Sequence, residues 1–283
     1  MRVLVTGGAG FLGRQIVAAL RARGAAVAAP ARSSADLLRP EGRQAAVAAA
    51  RAPTLVHAAW VTRPGVYRDS PENLDWVAAT LDLAGRFAAA GGRRFVLVGS
   101  CAEYDWSLPP GTKWTEERPC RPATVYGAAK LLAWTMLAGM PLAVANARVF
   151  WPIGPHEHAA RLLPSMLRAV RSACPLDIGP AALTRDLLDV RDAGGAIAGL
   201  ALSDAEGVVN IGSGIALRLD RLAAAVGDPQ ARLLRLGARP LPAGEPLHMV
   251  ADAARLGAIT GIAPRYSLAR TIADSRAVSA AAA

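Results

Sequence analysis

The sequence predicts an α/β fold, a Rossmann doubly wound parallel sheet with a smaller C-terminal substrate-binding lobe. Three observations predict it. A strand, a glycine turn and a helix follow one another within the first 23 residues, apolar strand-like runs then alternate with stretches of helical spacing, and that rhythm changes after Pro152.

Arg2 to Thr6 (RVLVT) is rich in β-branched residues and is stopped by Gly7-Gly8. Over Phe11 to Arg23, Leu12, Ile16, Val17 and Leu20 recur at helical spacing and point inward. Ala25 to Ala29 supplies a second, weak strand, followed by a turn at Arg32-Ser33-Ser34. Thr54 to Ala59, Arg94 to Gly99 and Leu142 to Phe150 are further apolar strands, separated by helical stretches near 71–90 and 122–139. Strands joined by helices of this length pair in parallel, with both sheet faces covered. Past Pro152, a helix near 161–173, strands near 185–190 and 207–211, and helices near 191–202 and 218–226 read as a smaller, interleaved lobe. The expected division is a dinucleotide-binding domain over 1–152 and a substrate lobe over most of 153–277, with some later segments able to cross back. Residues 278–283 carry no fixation signal and are expected to fray.

With 283 residues, 53% of them hydrophobic, the chain has ample material for a core. The net charge of +10 is almost all arginine, Lys113 and Lys130 being the lysines, and it is spread without a basic run. That distribution argues against a nucleic-acid partner and leaves a mild attraction for an anionic small molecule. Cys101, Cys120 and Cys174 form no CxxC pair and no metal-ligand spacing, so reduced thiols and a cytoplasmic location are expected. The N-terminus does not read as a signal peptide and no run approaches a membrane span.

Gly7, Gly10 and Gly13 form G-x-x-G-x-x-G between the first strand and the first helix. The first permits a sharp turn, the second lets backbone approach a pyrophosphate, and the third allows close helix-to-strand packing while the helix N-terminus faces the negative charge. Phe11 and Leu12 lie inside this loop and are assigned to the same cofactor site. The end of the second strand ordinarily offers a carboxylate to an adenosine ribose when the cofactor is NAD. Here that place falls at Ala31, followed by Arg32, Ser33 and Ser34, and a guanidinium beside hydroxyls suits a 2′-phosphate. NADP is therefore expected, with NAD as the alternative.

Tyr126 and Lys130 stand as Y-x-x-x-K, so both side chains share one helix face. An ammonium there, beside an oxidised nicotinamide, favours the phenolate and lowers the tyrosine pKa, and Tyr126 can exchange a proton with a substrate oxygen. Ser100 closes the strand RFVLVGS at the edge where ligands of open α/β sheets gather, and its hydroxyl can hold the same oxygen. Ser100, Tyr126 and Lys130 are the expected catalytic residues. His156, Glu157 and His158 either reach a substrate or decorate a loop, and the two histidines lack a third ligand for a metal.

The motifs TGGAGFLG, LVHAAW, GSCAEYDW, PATVYGAAK, RVFWPIGPH, RDLLDVRDA and VNIGSG follow in an order that resembles the extended short-chain dehydrogenase/reductase superfamily, in its NAD(P)-dependent sugar epimerase/dehydratase branch. The resemblance spans nearly the whole chain. It implies a Ser-Tyr-Lys triad, a nucleotide-sugar substrate and a homodimer built from the helices near 71–90 and 122–139. It also implies that Asp36 and Leu37 meet the adenine, with the third strand trimmed or lost. Ala58 and Ala59 would line the cofactor, Asn73 would begin the next helix, and Arg185 would meet a sugar-nucleotide diphosphate.

Departures from the family pattern narrow the chemistry. Cys101 and Ala102 stand where dehydratases resembling T-D-E carry an acid and a base, and Ala102 stands where decarboxylases carry a glutamate. The epimerase/reductases that use a cysteine place it at Ala102, one residue beyond Cys101, so Cys101 reads as a small buried thiol. Trp151, Ala129 and Asp189 replace the family's Asn, Ser and His. The chemistry left needs one hydride and one proton. The expectation is an NADPH-dependent reductase of the C4 keto group of a nucleotide-activated deoxysugar. A nucleotide-sugar 4-epimerase, a non-catalytic NADP-binding regulator and a reductase of a non-sugar carbonyl compound are the alternatives.

Overall fold

The computed structural model describes residues 1–109, 113–242, 244–261 and 263–281. Strand β1 (Arg2–Thr6) lies inside a parallel sheet between β2 (Ala26–Ala28) and β3 (Thr54–His57), and Val3, Leu4 and Val5 are fully buried. Beyond β3 come β4 (Arg94–Ser100), β5 (Ala143–Val149) and β10 (Gly207–Ile211), giving the six-stranded order β10-β5-β4-β3-β1-β2. These strands read as nearly continuous apolar runs because helices cover both faces. On one face α1 (Gly13–Ala22) and α6 (Val190–Leu202) bury Ile16, Val17, Leu20, Ile197 and Leu200. On the other, α2 (Pro40–Ala50), α3 (Glu72–Ala89) and α4 (Val125–Leu137) cover Leu55, Phe95 and Leu97. The expected Rossmann arrangement is the one adopted.

Helix α2 lies where the sequence indicated no element. Its run of alanines offers little contrast between an apolar and a polar face, so periodicity could not expose it. The chain passes from β2 through α2 directly to β3 beside β1, leaving β2 at the sheet edge. No described strand lies beyond β2, where the shortened connection had pointed to a lost strand.

The lobe is assembled from short pairings: β6 (Trp151–Ile153) with β9 (Leu187–Asp189), β7 (Leu176–Ile178) with β12 (Leu234–Leu236), and β8 (Thr184–Arg185) between β11 (Leu217–Arg218) and β13 (His248–Met249). Helices α5 (Leu162–Arg171), α7 (Leu219–Ala225) and α9 (Leu268–Ala281) enclose a second core around Leu163, Met166, Leu222, Leu234 and Ile272, while α8 (Ala254–Thr260) packs Leu256 onto the first. The single strand expected near 185–190 is broken at Asp186, whose buried carboxylate accepts from the backbone of Ser213, Gly214 and Ala251. The tail expected over 278–283 is instead helical as far as Ala281, and Arg171 donates to the Ser279 carbonyl at 3.2 Å. Residues 282 and 283 lie outside the described residues.

Although β6 and the pairings after it build the lobe, α6 and β10 return to the first layer. Gly194 makes that return possible: a Cβ there would lie 2.5 Å from the Gln15 Cβ on α1. We expect Gly194→Ala to force the two helices apart and cost about 1–3 kcal/mol in urea denaturation. Gly85→Ala on α3, where a Cβ meets nothing within 4 Å, should be neutral or slightly stabilising in the same assay.

Candidate active site

The glycine turn is shaped by close backbone contact. Gly7 has φ +68°, and a Cβ there would fall 2.7 Å from the Ala59 nitrogen, so the loop after β3 presses Ala58 and Ala59 against it. A Cβ on Gly13 would sit 2.0 Å from the Gly7 carbonyl oxygen, which is why α1 can start directly on the turn. At Gly10 a Cβ would meet only the Gly7 oxygen, at 3.2 Å, and the outer side is open. Leu12, preceding α1, supplies no side-chain cap, and the Arg14 and Gln15 amides donate to the Gly10 and Leu12 carbonyls at 3.1 and 3.0 Å, so the positive end of the helix dipole lies at the turn. With Phe11 and Leu12 partly buried beside it, this cradle fits a pyrophosphate.

Arg32 follows β2 with a side chain 74% exposed, its Nε 3.6 Å from Asp36. The Asp36 carboxylate also accepts from the Leu38 backbone at 3.2 Å, and Leu37 is buried against α2, its carbonyl accepting from Arg43 at 2.7 Å.

Ser100 ends β4, next to the end of β3. Helix α4 starts after Thr124, whose hydroxyl accepts from the Gly127 amide at 3.1 Å, and the Tyr126 amide donates to the Arg68 carbonyl at 2.8 Å. The Ser100 hydroxyl faces the Tyr126 phenol and favours its ionised form, and Tyr67 meets the Tyr126 ring edge-on at 4.9 Å. One turn along α4, Lys130 is buried. Its Nζ donates to the Val98 carbonyl at 2.8 Å, lies 3.7 Å from the Trp60 ring centroid and 5.9 Å from that of Tyr126. The three expected catalytic residues therefore come together at one sheet edge.

Burial governs their electrostatics: it raises the Tyr126 pKa, with Ser100 opposing. The ammonium is committed to Val98 and to the face of Trp60, a partner that lies in a distant loop and that sequence spacing does not reveal. Burial pulls Lys130 itself down to about 7, against the upward pull of Glu103. His57 is held near 3 by burial and by Lys130, and bonds Thr6 and Thr80 at 2.8 and 2.9 Å. Cys101 is buried and its thiol is pushed up to about 12, chiefly by desolvation, as suits an inert packing residue.

Other expected contacts are engaged within the protein. Arg185, on β8, is buried, donates to Glu245 at 2.8 Å and to the Pro246 carbonyl at 2.9 Å, and lies over Trp151. Glu245 also pairs with Arg68 at 3.1 Å. To meet a diphosphate, Arg185 must exchange this carboxylate. Asn73 donates to the Tyr67 and Ser70 carbonyls and accepts from Trp60, so it ties down the loop before α3. His156 and His158 are exposed, whereas burial raises Glu157 to about 8.

Lys130 yields a pH signature. Between about 7 and 10.5 the unfolded chain binds a proton that the folded protein does not, so this group contributes stability that grows as pH rises through that window. Urea midpoints of wild type minus Lys130→Met should increase from the lower to the upper end. A flat difference would contradict the assigned burial.

Residues 3–212 match the NAD dependent epimerase/dehydratase family. The chain is 32% identical over 239 residues, 75% of each chain, to a 3-diazoavenalumate denitrifying reductase from a Streptomyces species. It is 34% identical over 134 residues to a probable dTDP-4,6-dihydroxy-2-methyloxan-3-one 4-ketoreductase from Streptomyces antibioticus, a segment that makes up 46% of this chain and 44% of that protein. Among solved structures it resembles UDP-glucose 4-epimerases from Thermus thermophilus, in complex with NAD (TM-score 0.84, 23% identity, all of both chains), and from Thermotoga maritima, with UDP-glucose (TM-score 0.86, 17% identity, 100% and 99% of the chains). At those identities the likeness is one of fold. The sequence match itself spans the glycine turn, Ser100 and the Tyr126 and Lys130 pair, and the chain is an enzyme that belongs to the NAD-dependent epimerase/dehydratase family.

Proposed function

We propose that the protein is an NADP-dependent reductase that converts a keto group, at C4, of a nucleotide-activated deoxysugar to an alcohol. The observation that carries this reading is the convergence of Ser100, Tyr126 and Lys130 at the sheet edge beside the glycine turn. The bound dinucleotide supplies the hydride. Tyr126 donates a proton to the carbonyl oxygen, and burial, by raising its pKa, keeps that proton in place until it is needed. Ser100, which faces the phenol, holds the same oxygen. Neither Ala102 nor the protonated Cys101 thiol can abstract a proton from a neighbouring carbon, which disfavours dehydration. Gly7, Gly10, Phe11, Leu12 and Gly13 would hold the pyrophosphate, Asp36 and Leu37 the adenine, and Ala58, Tyr126 and Lys130 the rest of the cofactor. Arg32, exposed and only loosely tied to Asp36, is free to take a 2′-phosphate.

A second reading rests on Arg185, which already has a carboxylate partner and stacks on Trp151, next to the Arg68 and Trp106 pair. This aromatic wall favours a non-sugar carbonyl compound. Mixing the enzyme with TDP-, GDP-, CDP- and UDP-4-keto sugars, and with NADH or NADPH, separates the readings. Stoichiometric NADPH oxidation is expected; tight cofactor retention without net consumption would identify an epimerase instead. Tyr126→Phe should lower turnover by about 10²–10⁴-fold while leaving cofactor affinity nearly unchanged. Arg32→Ala should weaken NADPH more than NADH, and equal losses would remove the NADP assignment.

A cytoplasmic location is proposed from the three unpaired cysteines. No described helix is long and apolar enough to cross a membrane. A homodimer is proposed from two adjacent apolar stripes, Leu74, Ala78, Leu81 and Gly85 on α3 and Val125, Ala128, Leu132 and Met136 on α4, in which Leu74, Leu132 and Met136 are strongly exposed. Leu132→Glu with Met136→Glu should halve the mass in sedimentation, and an unchanged mass would exclude this face.

A further inference from the structure

We propose that Glu103 is a positioning residue of this centre: it fixes Ser100 through the backbone amide and seats the turn on which the start of α4 rests. The proposal builds on the catalytic assignment of Ser100, Tyr126 and Lys130.

The chain leaves β4 through a single 3-10 turn, Cys101–Glu103, closed by two reciprocal bonds. The Ala102 amide donates to the Ser100 hydroxyl at 3.2 Å, and the Ser100 amide donates to Glu103 Oε1 at 2.8 Å. Ser100 is thus held at both its hydroxyl and its backbone. The Glu103 carboxylate is completely buried, and its second oxygen accepts from Asn146 at 2.8 Å and Arg148 at 3.0 Å, both on β5. Arg148 stacks on Tyr104, 4.2 Å from the ring centroid.

A buried ion pair is costly to desolvate and weak evidence for stability, since apolar residues of similar volume often serve as well. Here it supplies placement. A Cβ on Gly99 would lie 2.5 Å from Glu103 Oε1, so the carboxylate rests directly on the backbone preceding Ser100. A Cβ on Gly127 would lie 2.2 Å from the Ala102 carbonyl oxygen, so the first turn of α4, beside Tyr126, sits on the turn that Glu103 closes. Both proton-handling hydroxyls therefore depend on one carboxylate.

The same negative charge opposes ionisation of Tyr126 and favours the ammonium of Lys130. The other groups facing Tyr126 are Tyr67, Ser100 and Cys101, with Lys130 further along α4, and His57 faces Lys130 from β3.

The test is an ultraviolet titration of the Tyr126 phenol in the presence of oxidised dinucleotide, NADP⁺ or NAD⁺, obtained by subtracting the Tyr126→Phe spectrum. Glu103→Gln keeps an acceptor for the Ser100 amide but removes the charge, and should lower the titration midpoint by about half a pH unit or more. Glu103→Asp keeps the charge but withdraws it from Ser100; the midpoint should stay in place while kcat falls about tenfold or more and KM changes little. Should Glu103→Gln fail to fold, the kcat of Glu103→Asp carries the test. An unmoved midpoint in the folded charge variant, or full kcat in Glu103→Asp, overturns the proposal. The titration arm needs no substrate, so absence of turnover on every keto sugar would sink the reductase reading, whereas an unmoved midpoint in Glu103→Gln would sink this one.

Discussion

Parallel pairing of the strands is the constraint on which the candidate active site depends. Because β1, β3 and β4 run in the same direction in matched register, with Thr6 opposite His57 and His57 opposite Leu97, their C-terminal ends reach one edge together. The glycine turn, the Ala58 loop and Ser100 are consequences of where three adjacent strands stop. Helix α4 adds Tyr126 and Lys130 by crossing back over the same sheet, and it can approach that closely because Gly127 carries no side chain.

Burial then decides protonation. In a poorly hydrated site the charged form of each group is disfavoured unless a partner offsets the loss of water. Tyr126 and Cys101 are pushed upward and Lys130 and His57 downward by the same cause, desolvation. A phenol that retains its proton beside a silent thiol suits the protonation of a carbonyl oxygen and does not suit abstraction of a second proton from carbon. The ionic groups that are tolerated inside are paired, Glu103 with Arg148 and Arg185 with Glu245.

The two cores are joined by chain rather than by a hinge alone. Helix α6 leaves the lobe at Asp189 and ends against α1, and β10 then extends the first sheet. Glu245 of the lobe pairs with Arg68, whose backbone carbonyl accepts from the Tyr126 amide, so the lobe and the start of α4 are linked through one residue.

Much of this was legible in the residues themselves. The glycine turn, the strand-like runs, the Y-x-x-x-K spacing and the serine at a strand end are each written within a few positions, where backbone sterics and helical or strand period act directly. Helix α2 was not legible, because an alanine-rich stretch has no face to distinguish, and residues 278–281 looked like a tail until α9 continued through them. Tertiary structure alone decided that Lys130 sits on Trp60, that Glu103 meets Asn146 and Arg148, and that Arg185 is held by Glu245. Those contacts join residues dozens of positions apart, and only the packing of the sheet and the lobe brings them within reach; local sequence sets which groups are present, and burial sets what they touch and which protonation state they hold.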